Sequence, residues 1–143
     1  MRSAALIIAR EGSKRLPQKN LMDLCGKPMF QWNLEKALEL FKEVYVSSDS
    51  RFILERARDL GASVIRRPPE LAEDGVPHIP VFLHALPLMH NPDLVVSVQS
   101  NSPTLGREII ETAFSIAQHP TVQEITTVDH NFKVHGSVWA LKR

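Results

Sequence analysis

The sequence predicts an α/β fold with a mainly parallel sheet. Strand-like and helix-like segments alternate along the chain, which is the order that repeated strand–helix–strand units produce. Residues 4–9 ("AALIIA") form a continuous apolar run that leads into a glycine-containing loop, as expected for a buried parallel strand. The chain has 143 residues, 43% of them hydrophobic, and no repeat or linker divides it. We therefore expect a single domain over residues 1–143.

The remaining elements follow from periodicity and from helix and strand stop signals. We predict further strands over residues 44–48, 63–67, 93–99, 124–128 and 136–143, and helices over residues 31–41, 51–62, 79–89 and 107–119. The helices repeat apolar residues at three- and four-residue spacing, and the strands are short runs rich in β-branched residues. Gly61 is a typical stop for the second helix, and Pro87 should bend or end the third. Residues 68–77, with three prolines, predict a loop.

Charge is concentrated near the amino terminus. Residues 1–30 contain six Lys/Arg and two Asp/Glu, which gives +4, whereas the rest of the chain carries −3. The net charge of +1 offers no general attraction to nucleic acid or to a membrane surface, so we expect neither as a partner. In parallel sheets ligands bind beyond the carboxyl ends of the strands. The loops 10–20, 47–50 and 99–106 are therefore the places where a site is expected.

The loop after the first strand ("REGSKRLPQKN", residues 10–20) has the composition of an anion site. Gly12 lets backbone N–H groups approach an anion, and Ser13 offers a hydroxyl. Arg10 and Lys19, with the two basic residues between them, suit a polyanion better than a single carboxylate. Charge spacing alone equally allows a solvated basic loop. Neither GxxxxGK[ST] nor GxGxxG occurs in the sequence.

The cysteine, the longest apolar runs and the histidines bear on where the protein is located and on whether it binds a metal. Cys25 is the single cysteine, so no intramolecular disulfide is possible, and we expect it to be a small buried hydrophobe. No apolar run approaches the roughly 18 residues of a membrane span, and no signal peptide is recognisable, so we expect a cytoplasmic protein. The six histidines show no metal-ligand spacing.

The opening motif resembles a known family. Residues 7–21 ("IIAREGSKRLPQKNL"), followed by "LCGKPM", resemble the nucleotide-binding signature of the CTP-dependent sugar-acid cytidylyltransferases, in particular the CMP-N-acetylneuraminate synthetase (acylneuraminate cytidylyltransferase) family. The resemblance continues through "VYVSSDS", "RRPPELAEDG" and "SVQSNSP", and more weakly through "HNFKVHGSVWALKR". It implies a three-layer Rossmann-like nucleotidyltransferase fold, and this chain would be a short member.

The resemblance also implies an activity and its site residues. Members transfer CMP from CTP to the anomeric hydroxyl of a sialic acid-type sugar acid and release pyrophosphate, with Mg²⁺ as cofactor, and a homodimer is possible. Carried over to this sequence, the nucleotide-binding residues are Arg10, Ser13, Lys19, Asn20 and Arg67, the last near the cytosine. Lys19 and Arg10 are the catalytic candidates, and Gln99 and Lys133 are the candidates for the sugar acid.

Several of these residues have an alternative explanation that involves no function. Lys14 and Arg15 are equally well explained as solvent-exposed residues flanking the site, and Lys133 is equally well explained as a solvent-exposed lysine. Gln99 has loop capping as its weaker alternative, whereas loop capping is the favoured role of Asp49.

Several features depart from the family pattern. Longer members continue into a segment whose aspartates hold Mg²⁺, so the protein ligands of the metal are unknown in this sequence. Asn101 stands where a related branch has an aspartate, and Val76 and His78 replace small residues. We therefore keep a second hypothesis: a non-catalytic nucleotide-binding relative, or a fragment that lacks the metal-binding part.

Overall fold

A six-stranded sheet forms the centre of the structure, a computed structural model that describes residues 1–131 and 133–142. The strand order is β5-β4-β1-β6-β8-β7. The strands are β1 (Ser3–Ile8), β4 (Val44–Ser48), β5 (Ser63–Arg66), β6 (Leu94–Gln99), β7 (Glu124–Val128) and β8 (Val134–Lys142). The first four are parallel neighbours, whereas β8 runs antiparallel to both β6 and β7. The predicted α/β class with a mainly parallel sheet is confirmed.

Helices cover both faces of this sheet and give three layers. They are α1 (Met29–Leu40), α2 (Arg51–Asp59), α3 (His78–Ala85) and α4 (Arg107–Ala117). Helices α1, α2 and α4 bury Phe30, Ile53 and Ile110 in one apolar cluster with alternate residues of the strands. Helix α3 buries Phe82 in a second cluster on the opposite face, together with Leu6 of β1. Alternation of side chains along the strands supplies both clusters.

The predicted helix ends agree with the stop signals. Gly61 has a φ of +102°, which is the left-handed conformation that ends a helix at low cost for glycine. The helix predicted over residues 79–89 is α-helical over His78–Ala85 and continues as a 3-10 turn over Leu86–Met89. The change follows from Pro87, which has no N–H for the α-helical hydrogen bond. Residue 143, the end of the predicted last strand, lies outside the described residues.

A small hairpin before α1 was not predicted. It pairs β2 (Asp23–Leu24) with β3 (Lys27–Pro28), and Cys25 and Gly26 form its turn with φ values of 53° and 94°. Two-residue strands are too short to show periodicity. The prediction of a buried Cys25 is wrong, because the turn places that thiol at the exposed tip. The Trp32 indole N–H donates to the Leu24 carbonyl at 2.9 Å and fixes the hairpin against α1.

No helix within the described residues combines the length and the apolar character needed to cross a membrane.

Candidate functional site

The carboxyl ends of the parallel strands meet at one edge of the sheet. Ile8 at the end of β1 pairs with Ser47 of β4 and with Gln99 of β6, and Ser48 pairs with Arg66 of β5. Their loops enclose a cavity of about 240 Å³. Its lining comprises Ile8, Arg10, Gly12, Ser13, Lys19, Asn20, Arg67, Leu71, Glu73, Gly75, Val76, His78, Val81, Ser97, Gln99, Ser100 and Asn101. The site lies where the strand-end rule for parallel sheets predicts it.

Six of the seven predicted site residues line this cavity, namely Arg10, Ser13, Lys19, Asn20, Arg67 and Gln99. The neighbouring Lys14 and Arg15 are exposed and do not line it, which agrees with their explanation as solvent-exposed residues flanking the site. Lys133 does not line it either. That residue lies in an exposed turn, where its backbone N–H donates to the Asp129 carboxylate at 3.0 Å.

Asn20 holds the loop of residues 10–20 in place. Its side-chain amide donates to the Arg10 carbonyl at 2.9 Å, and its Oδ1 lies 2.8 Å from the Ser100 hydroxyl. The side chain is 6% exposed, so these contacts satisfy a buried polar group. A further contact secures the loop, because the Glu11 N–H donates to Asp49 Oδ1 at 3.0 Å. Asp49 thus has the loop-capping contact expected of it.

Arg67 places a buried cation in the cavity wall. It is 2% exposed, and its guanidinium donates to the Ser47 hydroxyl at 3.2 Å and to the Ser47 carbonyl at 2.7 Å. Burial lowers the pKa of Arg67 to about 10, and Arg10 contributes in the same direction, whereas the Asp49 carboxylate acts against it. The adjacent Arg66 is exposed. An anionic ligand would compensate the buried charge.

The loop after β6 is fixed by two polar side chains of α1 that sequence reasoning missed. Asn33 is fully buried and donates to the carbonyls of Gln99 and Ser102 at 2.7 and 2.8 Å. The Lys36 ammonium donates to the carbonyls of Pro103 and Leu105 at 2.8 and 2.6 Å. Desolvation lowers the pKa of Lys36. A polar residue next to the apolar positions of an amphipathic helix was the available signal.

A second cavity of about 260 Å³ adjoins the first and shares His78, Ser97 and Gln99 with it. Its other lining residues are Thr126, Val134, Gly136 and Trp139, from the antiparallel part of the sheet. Partial burial lowers the pKa of His78, and the nearby Arg67 lowers it further. Amide, hydroxyl and aromatic groups predominate here, which is a lining suited to a hydroxyl-rich molecule.

The first cavity is electrostatically suited to an anion. Arg10, Lys19 and Arg67 outnumber the one acidic lining residue, Glu73. Within the part of the chain that the structure describes, no three His, Cys, Asp or Glu side chains come together as a metal site. The arrangement can therefore bind a polyanion beside a polar second cavity, and it can bring two ligands together at their shared wall.

Comparison with known families agrees with this geometry. The family model described as Cytidylyltransferase matches residues 4–138. The chain is 34% identical over 133 residues to N-acylneuraminate cytidylyltransferase B of Danio rerio, covering 91% of this chain and 31% of that protein. It is 33% identical over 121 residues to pseudaminic acid cytidylyltransferase of Campylobacter jejuni, covering 80% and 52%. The chain thus spans about a third to a half of the length of these curated relatives.

Solved structures share the fold. CMP:2-keto-3-deoxy-manno-octonic acid synthetase complexed with CTP superposes with a TM-score of 0.78 at 20% identity, covering 99% of this chain and 74% of that one. A Mycobacterium tuberculosis protein solved in complex with manganese superposes with a TM-score of 0.71 at 13% identity, covering 100% and 72%. At these identities the likeness concerns the fold alone, and it agrees with the expected Rossmann-like nucleotidyltransferase architecture.

Proposed function

This chain belongs to the cytidylyltransferase family, and we propose that it binds CTP and transfers CMP to a sialic acid-type sugar acid, releasing pyrophosphate. The observation that carries the proposal is the convergence of Arg10, Lys19 and Arg67 on one cavity beyond the carboxyl ends of the parallel strands. Arg10 and Lys19 would compensate the multiple negative charges of a triphosphate, and Arg67 adds a buried cationic donor to the wall of the same cavity. The names of the curated relatives support a sugar acid as acceptor.

In this proposal the loop of residues 10–20 holds the triphosphate. Lys19 and Arg10 neutralise charge as pyrophosphate forms, and they are the catalytic candidates. Ser13 donates a hydrogen bond, and Gly12 allows the phosphates to approach the backbone. Asn20 contributes by holding the loop, since its amide group bonds to Arg10 and Ser100. Such charge neutralisation and positioning are the main contributions that a protein makes to phosphoryl-type transfer.

The cytosine and the acceptor would lie at opposite sides of the phosphates. We assign Arg67 to the cytosine end and Gln99 to the sugar acid, because Gln99 is shared by the two cavities. The acceptor hydroxyl would attack the α-phosphorus and lose its proton to solvent as the new O–P bond forms. The bond between the α-phosphorus and the α–β bridging oxygen would break, and that oxygen would leave as a terminal oxygen of pyrophosphate. Lys133 remains a predicted partner for the sugar carboxylate, although it lies outside both cavity linings.

Mg²⁺ is proposed as the cofactor because CTP and pyrophosphate are magnesium-binding polyanions. The described residues do not form a protein metal site. In the first cavity the oxygen donors that are suitable are few: Glu73 is the acidic residue of the lining, and Asn101 is neutral. Phosphate oxygens and water would therefore supply most of the ligands of the metal.

The proposal also covers the cellular location and the oligomeric state of the protein. We propose a cytoplasmic protein, supported by the single cysteine, and a possible homodimer. Light scattering coupled to size-exclusion chromatography would test the homodimer, which would show twice the chain mass of 16.1 kDa.

Pyrophosphate release tests the proposed activity. The protein is incubated with CTP, Mg²⁺ and one acceptor at a time: N-acetylneuraminate, pseudaminate or 3-deoxy-manno-octulosonate. We expect acceptor-dependent pyrophosphate release and a matching CMP-sugar, with UTP as the nucleotide control. CTP binding without turnover on any acceptor would instead support the second hypothesis, a non-catalytic nucleotide-binding relative or a fragment. Absence of CTP binding would contradict both.

A further inference from the structure

The side chain of Arg10 connects two loops from separate parts of the chain. Its Nη1 lies 2.7 Å from Asp74 Oδ1 and donates to the Ala72 carbonyl at 3.3 Å. Arg10 follows β1, whereas Ala72 and Asp74 belong to the loop between β5 and α3. Both partners of the ion pair are about one-third exposed, at 32% and 33% of their side-chain surface. Solvent therefore weakens the attraction between Arg10 and Asp74, but the contact still orients the Arg10 side chain.

The contacts of Arg10 fix the far part of the proline-containing loop, residues 72–77. Among the described residues, the polar contacts between this segment and the rest of the protein outside the loop are made by Arg10. The same segment contributes Glu73, Gly75 and Val76 to the wall of the first cavity. Movement of Arg10 would therefore change both the position of a cation and the shape of the cavity.

Because a guanidinium is rigid, contacts that hold one of its nitrogens also restrict the orientation of the other N–H groups. It is planar and carries five N–H donors in a rigid fork. The contacts to the loop use Nη1, while Nε and Nη2 donate no hydrogen bond to a residue within ranges 1–131 and 133–142. Since Arg10 also lines the cavity, these N–H groups remain for an anion there.

We infer that Asp74 is a positioning residue, which orients Arg10 toward the phosphates of the ligand and makes residues 72–77 part of the triphosphate site. The inference deepens the proposed function and rests on it for the identity of the ligand. The opposite arrangement would have Asp74 compete with phosphate for Arg10. The two arrangements predict opposite effects when the negative charge of Asp74 is removed.

A double-mutant cycle on ligand binding tests this inference. Calorimetry is carried out with Mg²⁺-CTP and with inorganic tripolyphosphate on the wild type, Asp74→Asn, Arg10→Ala and the double variant. We expect Asp74→Asn to lower the affinity for both ligands by about three- to tenfold. In the Arg10→Ala background the same substitution should have no further effect on affinity. Asp74→Glu should restore part of the loss. The matched control is Glu70→Gln, which removes an exposed acid of the same loop outside the cavity lining.

The outcomes separate this inference from the proposed function. An increased affinity of Asp74→Asn, or an equal loss in the Arg10→Ala background, would overturn the positioning role while leaving CTP binding intact. Coupled binding of tripolyphosphate without tighter binding of CTP would support the positioning role and contradict the nucleotide assignment. If neither ligand binds the wild type, both are overturned. Urea unfolding of each variant confirms that the compared proteins are folded.

Discussion

Replacing the buried Arg67 with methionine should separate ligand binding from folding. The drop of the pKa of Arg67 to about 10 corresponds to a cost of about 3 kcal/mol for keeping the guanidinium charged in the folded protein. The two hydrogen bonds to Ser47 offset this, because bonds to a charged group contribute about 1.5–3 kcal/mol each. The Ser47 carbonyl also accepts from the Ala9 N–H at 3.1 Å, so methionine would not leave it unpaired, whereas the buried Ser47 hydroxyl would lose its guanidinium donor.

We therefore expect Arg67→Met to lower the free energy of unfolding by no more than about 2 kcal/mol, the order of the cost of an unpaired buried hydroxyl, measured by urea denaturation. The same substitution should weaken the binding of CTP by at least about 30-fold in calorimetry, because losing a buried charged donor to the nucleotide costs about 2 kcal/mol or more. Arg66→Met, one residue away and exposed, should alter neither quantity. Destabilisation above about 3 kcal/mol would show that Arg67 mainly stabilises the fold, and unchanged CTP affinity would show that it does not contact the nucleotide.

Three further predictions concern the walls of the site. A Cβ built on Gly12 meets no protein atom within 4 Å, so Gly12→Ala should leave the free energy of unfolding unchanged. The added methyl group should nevertheless lower the affinity for CTP in calorimetry, and equal affinity would show that the phosphates lie elsewhere. The pKa of His78 is lowered by burial and by Arg67, so the unfolded chain binds the proton more readily and the wild type should lose stability as the pH falls below about 6.5. His78→Gln should show a smaller loss in urea melts at pH 7 and pH 5, and parallel losses would disprove the contribution. Asn33→Ala removes two buried hydrogen bonds to the loop after β6 and should cost about 2–4 kcal/mol in the same assay, whereas a loss under about 0.5 kcal/mol would contradict its bracing role.

Local signals in the sequence were enough to predict most of the fold. A continuous apolar run predicted β1, because a strand buried on both faces favours hydrophobic residues throughout, and a valine-rich run predicted β6. Gly61 and Pro87 predicted helix ends through backbone properties that do not depend on tertiary contacts. The exposed Cys25 could not be predicted from its residue type, since the hairpin turn that exposes it depends on packing against Trp32.

Local sequence signals identify some residues of the site and not others. Arg10 and Lys19 lie in the glycine-containing loop after an apolar strand, so charge and topology indicated a basic loop at the sheet edge, and the family resemblance selected these two residues. The pairing of Arg10 with Asp74 joins loops far apart in the sequence, and no local pattern reveals such a contact. Lys133 came from a short stretch of resemblance, and its assignment remains a prediction.

Binding of the CTP triphosphate in the first cavity can be measured by calorimetric titration of the wild type and Lys19→Ala with CTP in the presence of Mg²⁺. We expect saturable binding to the wild type and an affinity about 10- to 100-fold lower after the substitution, because a charge-assisted contact to phosphate is lost. Lys14→Ala, which replaces an exposed lysine of the same loop, should bind like the wild type. Unchanged affinity of Lys19→Ala, or no binding of CTP to the wild type, would show that the triphosphate does not lie in this cavity.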